Sequence, residues 1–252
     1  VQRNWKLTLM YDGSEFHGWQ VQPGLPTIQA TLAAAIERVT AERVLPQGSG
    51  RTDAGVHALA QVVSCALENP IPPENFLKAL NDVLPASVRV TQAEEASAEF
   101  HARKSARAKT YRYRILRAPI CPPFLARYVY HHPFPLDEEA MIAAAELVGG
   151  EHDFTSFAAL DPERGNEDEP ASNVRTIYSS CWRRERDELI YTVRGGGFLH
   201  HMVRNLVGTF LLVGKGTLDA QAISRIIEAR NRSANPGATA PASGLYLVEV
   251  QY

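Results

Sequence analysis

The sequence predicts an α+β fold of two halves with mostly antiparallel sheets, and three observations predict it. Short alternating or apolar runs, read as strands, are interleaved with stretches whose apolar residues recur at helical spacing. A β-α-β-β-α-β order of elements is suggested twice along the chain. A chain of 252 residues with 45% hydrophobic content can bury one large core or two of ordinary size.

The elements follow in order. Trp5–Tyr11 alternates and reads as a strand. Thr27 to Thr40 carries Ile28, Leu32, Ile36 and Val39 at helical spacing. The apolar run Leu59 to Leu67, centred on Val62-Val63, reads as a buried strand. Pro72-Pro73 open a helix with Phe76, Leu77, Leu80 and Leu84, since proline suits a first helical turn that needs no N–H donor. Val88-Arg89-Val90 closes the first half.

Tyr111-Arg112-Tyr113-Arg114-Ile115 opens the second half with aromatics on one face and cations on the other. Asp137 caps a helix containing Met141, Ile142, Ala145 and Val148, which stops at Gly149-Gly150. Val174 to Trp182 and Leu189 to Val193 read as a hairpin around the charged turn Arg186-Asp187-Glu188. Leu199 to Val213 is a nearly all-apolar helix, Asp219 to Arg230 a second, and Leu245–Val248 a final strand. Each half thus resembles the ferredoxin-like order. The expected domains are residues 1–104 and 105–252, with the junction between Ser97 and Ala108. Ala158 to Asn173 reads as a mobile polar loop whose Asp161, Glu163, Glu167, Asp168 and Glu169 suit it poorly to phosphates.

Composition excludes several classes. No apolar run approaches the roughly 20 residues of a membrane span, and Val1–Trp5 shows no signal-peptide core. Three scattered cysteines without CxxC spacing argue against a disulfide framework or zinc site, and fit a reducing cytoplasm. The net charge of −2 does not announce a nucleic-acid partner. Its distribution does more. Arg103, Lys104, Arg107, Lys109, Arg112, Arg114 and Arg117 follow one another with no acid between them. They are either a solvated strand face or a phosphate-tracking stripe.

Gly50-Arg51-Thr52-Asp53-Ala54-Gly55-Val56-His57 is the stretch richest in chemistry. Flanking glycines let a ligand approach the main chain, and the strand that follows would hold the carboxylate on a loop. Alone, the string is also compatible with a surface turn in which Asp53 caps an amide. Tyr111 is either core or a platform for a base beside phosphate-binding cations, a contact worth about 1–3 kcal/mol. Gly195-Gly196-Gly197 would form a flexible turn before the apolar helix, whose start could accept an anion. His200 and His201, adjacent on a helix, would diverge by roughly 100° and fail to clasp one metal. Arg204, a cation on an apolar helix, needs solvent or a partner charge. No GxSxG elbow, P-loop or dinucleotide fingerprint is present. Asp12 and Asp53 as a glycosidase pair would be two carboxylates picked from 28 acids.

Seven motifs in order carry a resemblance to the TruA family of tRNA pseudouridine synthases. They are Tyr11–Ser14 through Gly18–Gln22, Gly50–His57, Phe100–Arg103, Tyr111–Tyr113, Asp153–Phe157, Phe198–Asn205 and Gly244–Leu247. The resemblance implies ferredoxin-like halves with sheets joined edge to edge across a cleft, and a homodimer whose subunits both contact one tRNA. It implies Asp53 as catalytic aspartate, Tyr111 against the target base, Arg204 paired with Asp53, Arg51 holding the flipped nucleotide and Leu245 lining the pocket. Arg103, Arg112 and Arg114 would serve the phosphates. The reaction implied is uridine to pseudouridine at positions 38 to 40 of the anticodon stem-loop, with no cofactor or metal. Attack at C1′, attack on the base and proton abstraction from C2′ all remain open to a carboxylate. A silent RNA-binding module and an N-glycoside hydrolase are the rival classes.

Overall fold

Strand β1 (Arg3–Tyr11) alternates buried and half-exposed residues, and it is the centre of the first of two compact units. The computed structural model describes residues 2–160 and 172–252. The acidic residues Asp161 to Glu169 lie outside them. The first unit comprises Val1–Lys109 with Tyr246–Tyr252, the second Thr110–Leu245.

In the first unit β1 is followed by α1 (Ile28–Thr40), β2 (Gln47–Gly48), β3 (His57–Leu67), α2 (Pro73–Val83) and β4 (Val88–Ala96). Its strand order is β4-β1-β3, then the last strand of the chain, β10 (Leu245–Gln251), with β2 beside β3. β1 is antiparallel to both neighbours, whereas β10 runs parallel to β3 through Tyr246↔His57 and Leu247↔Ala58. Trp5, Leu7 and Leu9 are buried with Ile28, Leu32 and Ile36 of α1 and Phe76 and Leu80 of α2. The Trp5 and Phe76 rings meet edge-on at 4.8 Å. Each such side chain contributes roughly 1.5–3 kcal/mol by leaving water. Helix starts match the sequence signals: Thr27 accepts from the Ala30 amide, and Pro73 is the first residue of α2.

The second unit contains the body of β5 (Ala108–Leu116), then β6 (Tyr130–His131), α3 (Glu138–Glu146), β7 (Gly150–Asp153), β8 (Val174–Glu185), β9 (Glu188–Gly195), α4 (Met202–Gly214) and α5 (Ala222–Ala229). The order is β5-β9-β8-β7, with β6 beside β5. Asp137 caps α3 through the Ala140 amide, as its sequence signal requires. Trp182, Tyr191 and Phe210 pack against one another with centroids 5.0–5.9 Å apart. Buried Tyr191 satisfies its hydroxyl on Ser180 at 2.8 Å.

Both units are mixed α and β with mostly antiparallel pairing. The division at Lys109/Thr110 differs from the expected 104/105 because residues 105–109 bond to the first unit. Arg107 N donates to Gln251 O at 2.8 Å, and Lys109 Nζ to Ser49 O at 2.6 Å. β7 begins at Gly150, where only a helix stop was legible. No helix among the described residues is long and apolar enough to cross a membrane.

Candidate active site

Asp53 lies in the turn between β2 and β3, half-buried, and the chain on both sides of it is fixed. Trp19 N donates to Thr52 O at 2.9 Å, Gly55 N to Phe16 O at 3.2 Å, and Val56 N back to Asp53 O at 3.1 Å. Gly18 makes this close approach possible. Its φ is +85°, and a Cβ there would sit 2.6 Å from the Thr52 oxygen. Below the turn the buried Tyr11 hydroxyl meets Thr52 Oγ1 at 2.8 Å. Burial pushes the Tyr11 phenol up to about 12, so it stays a neutral partner. A register shift between Leu9 and Tyr11 adds local twist where β1 runs into this turn.

His57 closes the turn. It is buried, its ring is stacked on Tyr246 at 4.8 Å, and its Nδ1 accepts from the Gly13 amide at 3.1 Å. Asp12 Oδ1 lies 3.3 Å from the same nitrogen. Asp12 Oδ1 accepts from the amide and hydroxyl of Ser14, at 2.9 and 2.6 Å. Arg51, two residues before the half-buried Asp53, is exposed.

In the second unit β5 shows the alternation read from its sequence. Tyr111, Tyr113 and Ile115 are buried, and Arg112 and Arg114 lie half-buried between them. Tyr111 is 8% exposed and meets Phe198 edge-on at 5.0 Å. The Tyr113 hydroxyl donates to Pro241 O at 2.8 Å. Arg114 forms a fork with Glu188, 2.7 and 2.6 Å, a partner that local alternation did not reveal. Arg112 Nε is buried without a hydrogen-bond partner among the described residues. Arg103, in the first unit, is exposed.

Arg204 sits half-buried on the first turn of α4. Its Nε donates to Ala240 O at 2.7 Å, and Ala240 N donates back to Arg204 O at 3.2 Å, which aims the guanidinium fork. Leu245 is buried at the end of a 3₁₀ turn, where β10 begins.

The start of α4 and the divergence of His200 and His201 are corrected. α4 starts at Met202 rather than Leu199, because His201 takes the left-handed conformation at φ +58°. His200 and His201 are therefore not on the helix and do not diverge. Their rings lie 4.0 Å apart, so helical divergence gives no reason against a shared ligand. Gly195 is the last residue of β9, and none of Gly195, Gly196 and Gly197 has a positive φ.

The partners of four residues went unread: His57, Tyr11, Gln61 and Lys109. Each partner is distant in sequence: Gly13 for His57, Thr52 for Tyr11, Ser49 and Gly50 for Gln61, and Ser49 for Lys109. His57 and Tyr11 stood in recognised motifs and Lys109 in the basic run, but Gln61 carried no signal.

Comparison with known proteins adds the remaining observation. A family model described as tRNA pseudouridine synthase matches residues 8–103 and 143–252. A tRNA pseudouridine synthase A from Solibacter usitatus (strain Ellin6076) is 51% identical over 250 residues, covering 99% of this chain and all of that one. Its counterpart from Lacticaseibacillus casei (strain BL23) is 43% identical over 252 residues, 99% of each chain. The one from Caldicellulosiruptor bescii (strain ATCC BAA-1888 / DSM 6725 / KCTC 15123 / Z-1320) is 42% identical over 250 residues, 99% of this chain and 100% of the relative. With matches of this extent, the chain belongs to the tRNA pseudouridine synthase family.

Proposed function

We propose that this isomerase converts uridine to pseudouridine at positions 38–40 of the tRNA anticodon stem-loop, with Asp53 as the reacting carboxylate. Family membership supports the reaction and the tRNA substrate. The observation that carries the assignment of Asp53 is its turn, fixed by Trp19, Phe16, Tyr11 and the buried His57. A carboxylate held this firmly meets its target without first being ordered.

The chemistry is a rearrangement. The N1–C1′ bond breaks, uracil turns, C5 bonds to C1′, and the proton on C5 is lost as N1 gains one. Atoms and electrons balance within the nucleoside, so the step itself calls for no cofactor or metal. Inside a paired stem C5 and C1′ are out of reach, and the nucleotide flips out at a cost of a few kcal/mol. Asp53 in its ionised form serves attack at C1′ and proton removal at C2′ alike. Arg51 holds the flipped nucleotide, Arg204 pairs with Asp53, and Leu245 lines the base pocket. The base packs against the exposed edge of Tyr111. Arg103 and Arg112 contact phosphates, joined by Arg114 beside its Glu188 fork.

Two ferredoxin-like halves are the scaffold we infer. The strand order β4-β1-β3-β2 in the first unit supports it. A central cleft between the sheets, a homodimer that shares one tRNA, and a cytoplasmic setting complete the reading.

Pseudouridine mapping on tRNA from cells lacking this protein, with and without its return, tests the function. Loss and recovery at 38–40 is expected. Release of free uracil would indicate hydrolysis instead, and an unchanged map would leave only RNA binding. Tyr111→Phe should keep its turnover within a few-fold if the ring is what matters. Tyr111→Ala should lose about 1–3 kcal/mol of productive docking, read as a fall in kcat/KM. Equal kcat/KM for Tyr111→Ala and wild type would remove Tyr111 from the site.

A further inference from the structure

We propose that Lys109 is a positioning residue whose ammonium clamps the entrance of the Asp53 turn by donating to the Ser49 carbonyl, a role in catalysis that rests on Asp53 being the reacting group. The chain leaves the strand ladder at Gly48, since β2 pairs with β3 only through Gln47 and Gly48. The next two carbonyls, of Ser49 and Gly50, therefore need partners from elsewhere. Both receive them from side chains. Lys109 Nζ donates to Ser49 O at 2.6 Å, and Gln61 Nε2 donates to Gly50 O at 2.9 Å. Ser49 Oγ in turn donates to Gln61 Oε1 at 2.6 Å, and Ser49 N donates to Val62 O at 2.8 Å. Ser49 and Gln61 are fully buried, so water does not compete for the bond between their side chains, while the Lys109 and Gly50 bonds are part-buried.

Peptide units are planar, so holding two successive carbonyls fixes two successive planes. Those planes set the direction in which Arg51, Thr52 and Asp53 depart. Of the bonds at this stem, the one from the ammonium is charge-assisted and so the stronger kind. The residue at 50 fits the same account. A Cβ on Gly50 would lie 3.0 Å from Lys109 Nζ, so a side chain there would press on the ammonium and shift it by a few tenths of an ångström. Within the basic run from Arg103 to Arg117, Lys109 is thus set apart by its engagement of the main chain beside the site.

The test uses the full chain and its tRNA substrate. Lys109→Met keeps the apolar stem and removes the donor, while Lys109→Arg restores a donor. We expect Lys109→Met to lower kcat about 10- to 100-fold with tRNA affinity within about twofold of wild type, and Lys109→Arg to recover most of the rate. Hydrogen exchange across residues 48–56 should quicken in Lys109→Met. Gly50→Ala, which disturbs the same bond with Lys109 in place, keeps the question open to measurement if Lys109→Met does not fold. It should lower kcat in the wild-type background and have little further effect in Lys109→Ala, because both changes break one contact. A wild-type kcat in Lys109→Met, a loss of tRNA affinity that matches the loss of rate, or full additivity of Gly50→Ala with Lys109→Ala would each overturn the clamp. If the wild-type protein formed no pseudouridine, the function proposed above would fall. The exchange measurement would then decide by itself, unchanged protection of 48–56 in Lys109→Met counting against the clamp.

Discussion

Asp53→Asn is expected to abolish pseudouridine formation, by roughly 10⁴-fold or more, while the protein folds and binds tRNA as before. A loss of that size corresponds to about 5 kcal/mol of transition-state stabilisation, the scale seen when a group that reacts with substrate is removed. Folding should survive because main-chain bonds anchor the turn. Asp53 O accepts from Val56 N, and Thr52 O from Trp19 N, with an asparagine as with an aspartate. Affinity for tRNA should hold or rise slightly, since one negative charge is taken away from a surface that meets phosphates. The decisive measurement is tritium release from tRNA labelled at uridine C5, alongside a filter-binding titration. Release at the wild-type rate would show that the reacting group is elsewhere. Lost release together with lost binding would point to a damaged fold, and a melting curve of the variant separates that case.

Much of the fold was legible because hydrophobic period reports directly which residues face the core. The alternation at Trp5–Tyr11 and Tyr111–Ile115 became β1 and β5, and the signals at Pro73 and Asp137 became helix starts. The hairpin was legible too. Its turn is tighter than read, because Glu185 pairs with Glu188 and leaves only Arg186 and Asp187 between the strands. β2 and β6 escaped notice, since two residues carry no period. The start of α4 depended on a left-handed histidine, a conformation uncommon for any residue but glycine.

The site divides in the same way. Glycines around Asp53 pointed to a carboxylate near the main chain, whereas its role came from the resemblance and not from the residues themselves. Charges were the hardest to read. Period 2 says that Arg114 leaves the core face and puts Lys109 in register with Tyr111, but not what either meets. Arg114 meets Glu188, 74 residues on, and Lys109 meets Ser49, 60 residues back. One run of bases in the sequence therefore includes an ion pair and a main-chain clamp, and only tertiary structure tells them apart.

Gly208→Ala is expected to destabilise the second unit by about 3 kcal/mol or more, the upper range for forcing an extra carbon into a packed interior. Gly208 lies one helical turn beyond Arg204 on α4, and a Cβ there would overlap the Ala238 carbonyl oxygen. Relief would require the 235–240 segment to lift off the helix, and that segment is tied down along its length. Thr209 Oγ1 donates to Asn235 Oδ1 at 2.8 Å, Thr239 Oγ1 to Asn205 Oδ1 at 2.7 Å, and Arg204 Nε to Ala240 O at 2.7 Å. Lifting the segment breaks buried hydrogen bonds, each worth roughly 1 kcal/mol and more when a group is left unpaired. Keeping it in place strains the helix instead. For a chain of this size the loss should read as a fall in melting temperature of roughly 6–12 °C. Activity should also drop at temperatures where the variant is still folded, because the Ala240 carbonyl that aims the Arg204 guanidinium belongs to the displaced segment. An unchanged urea midpoint would mean that this segment does not press on α4, and the fixed aim of Arg204 would lose its structural basis.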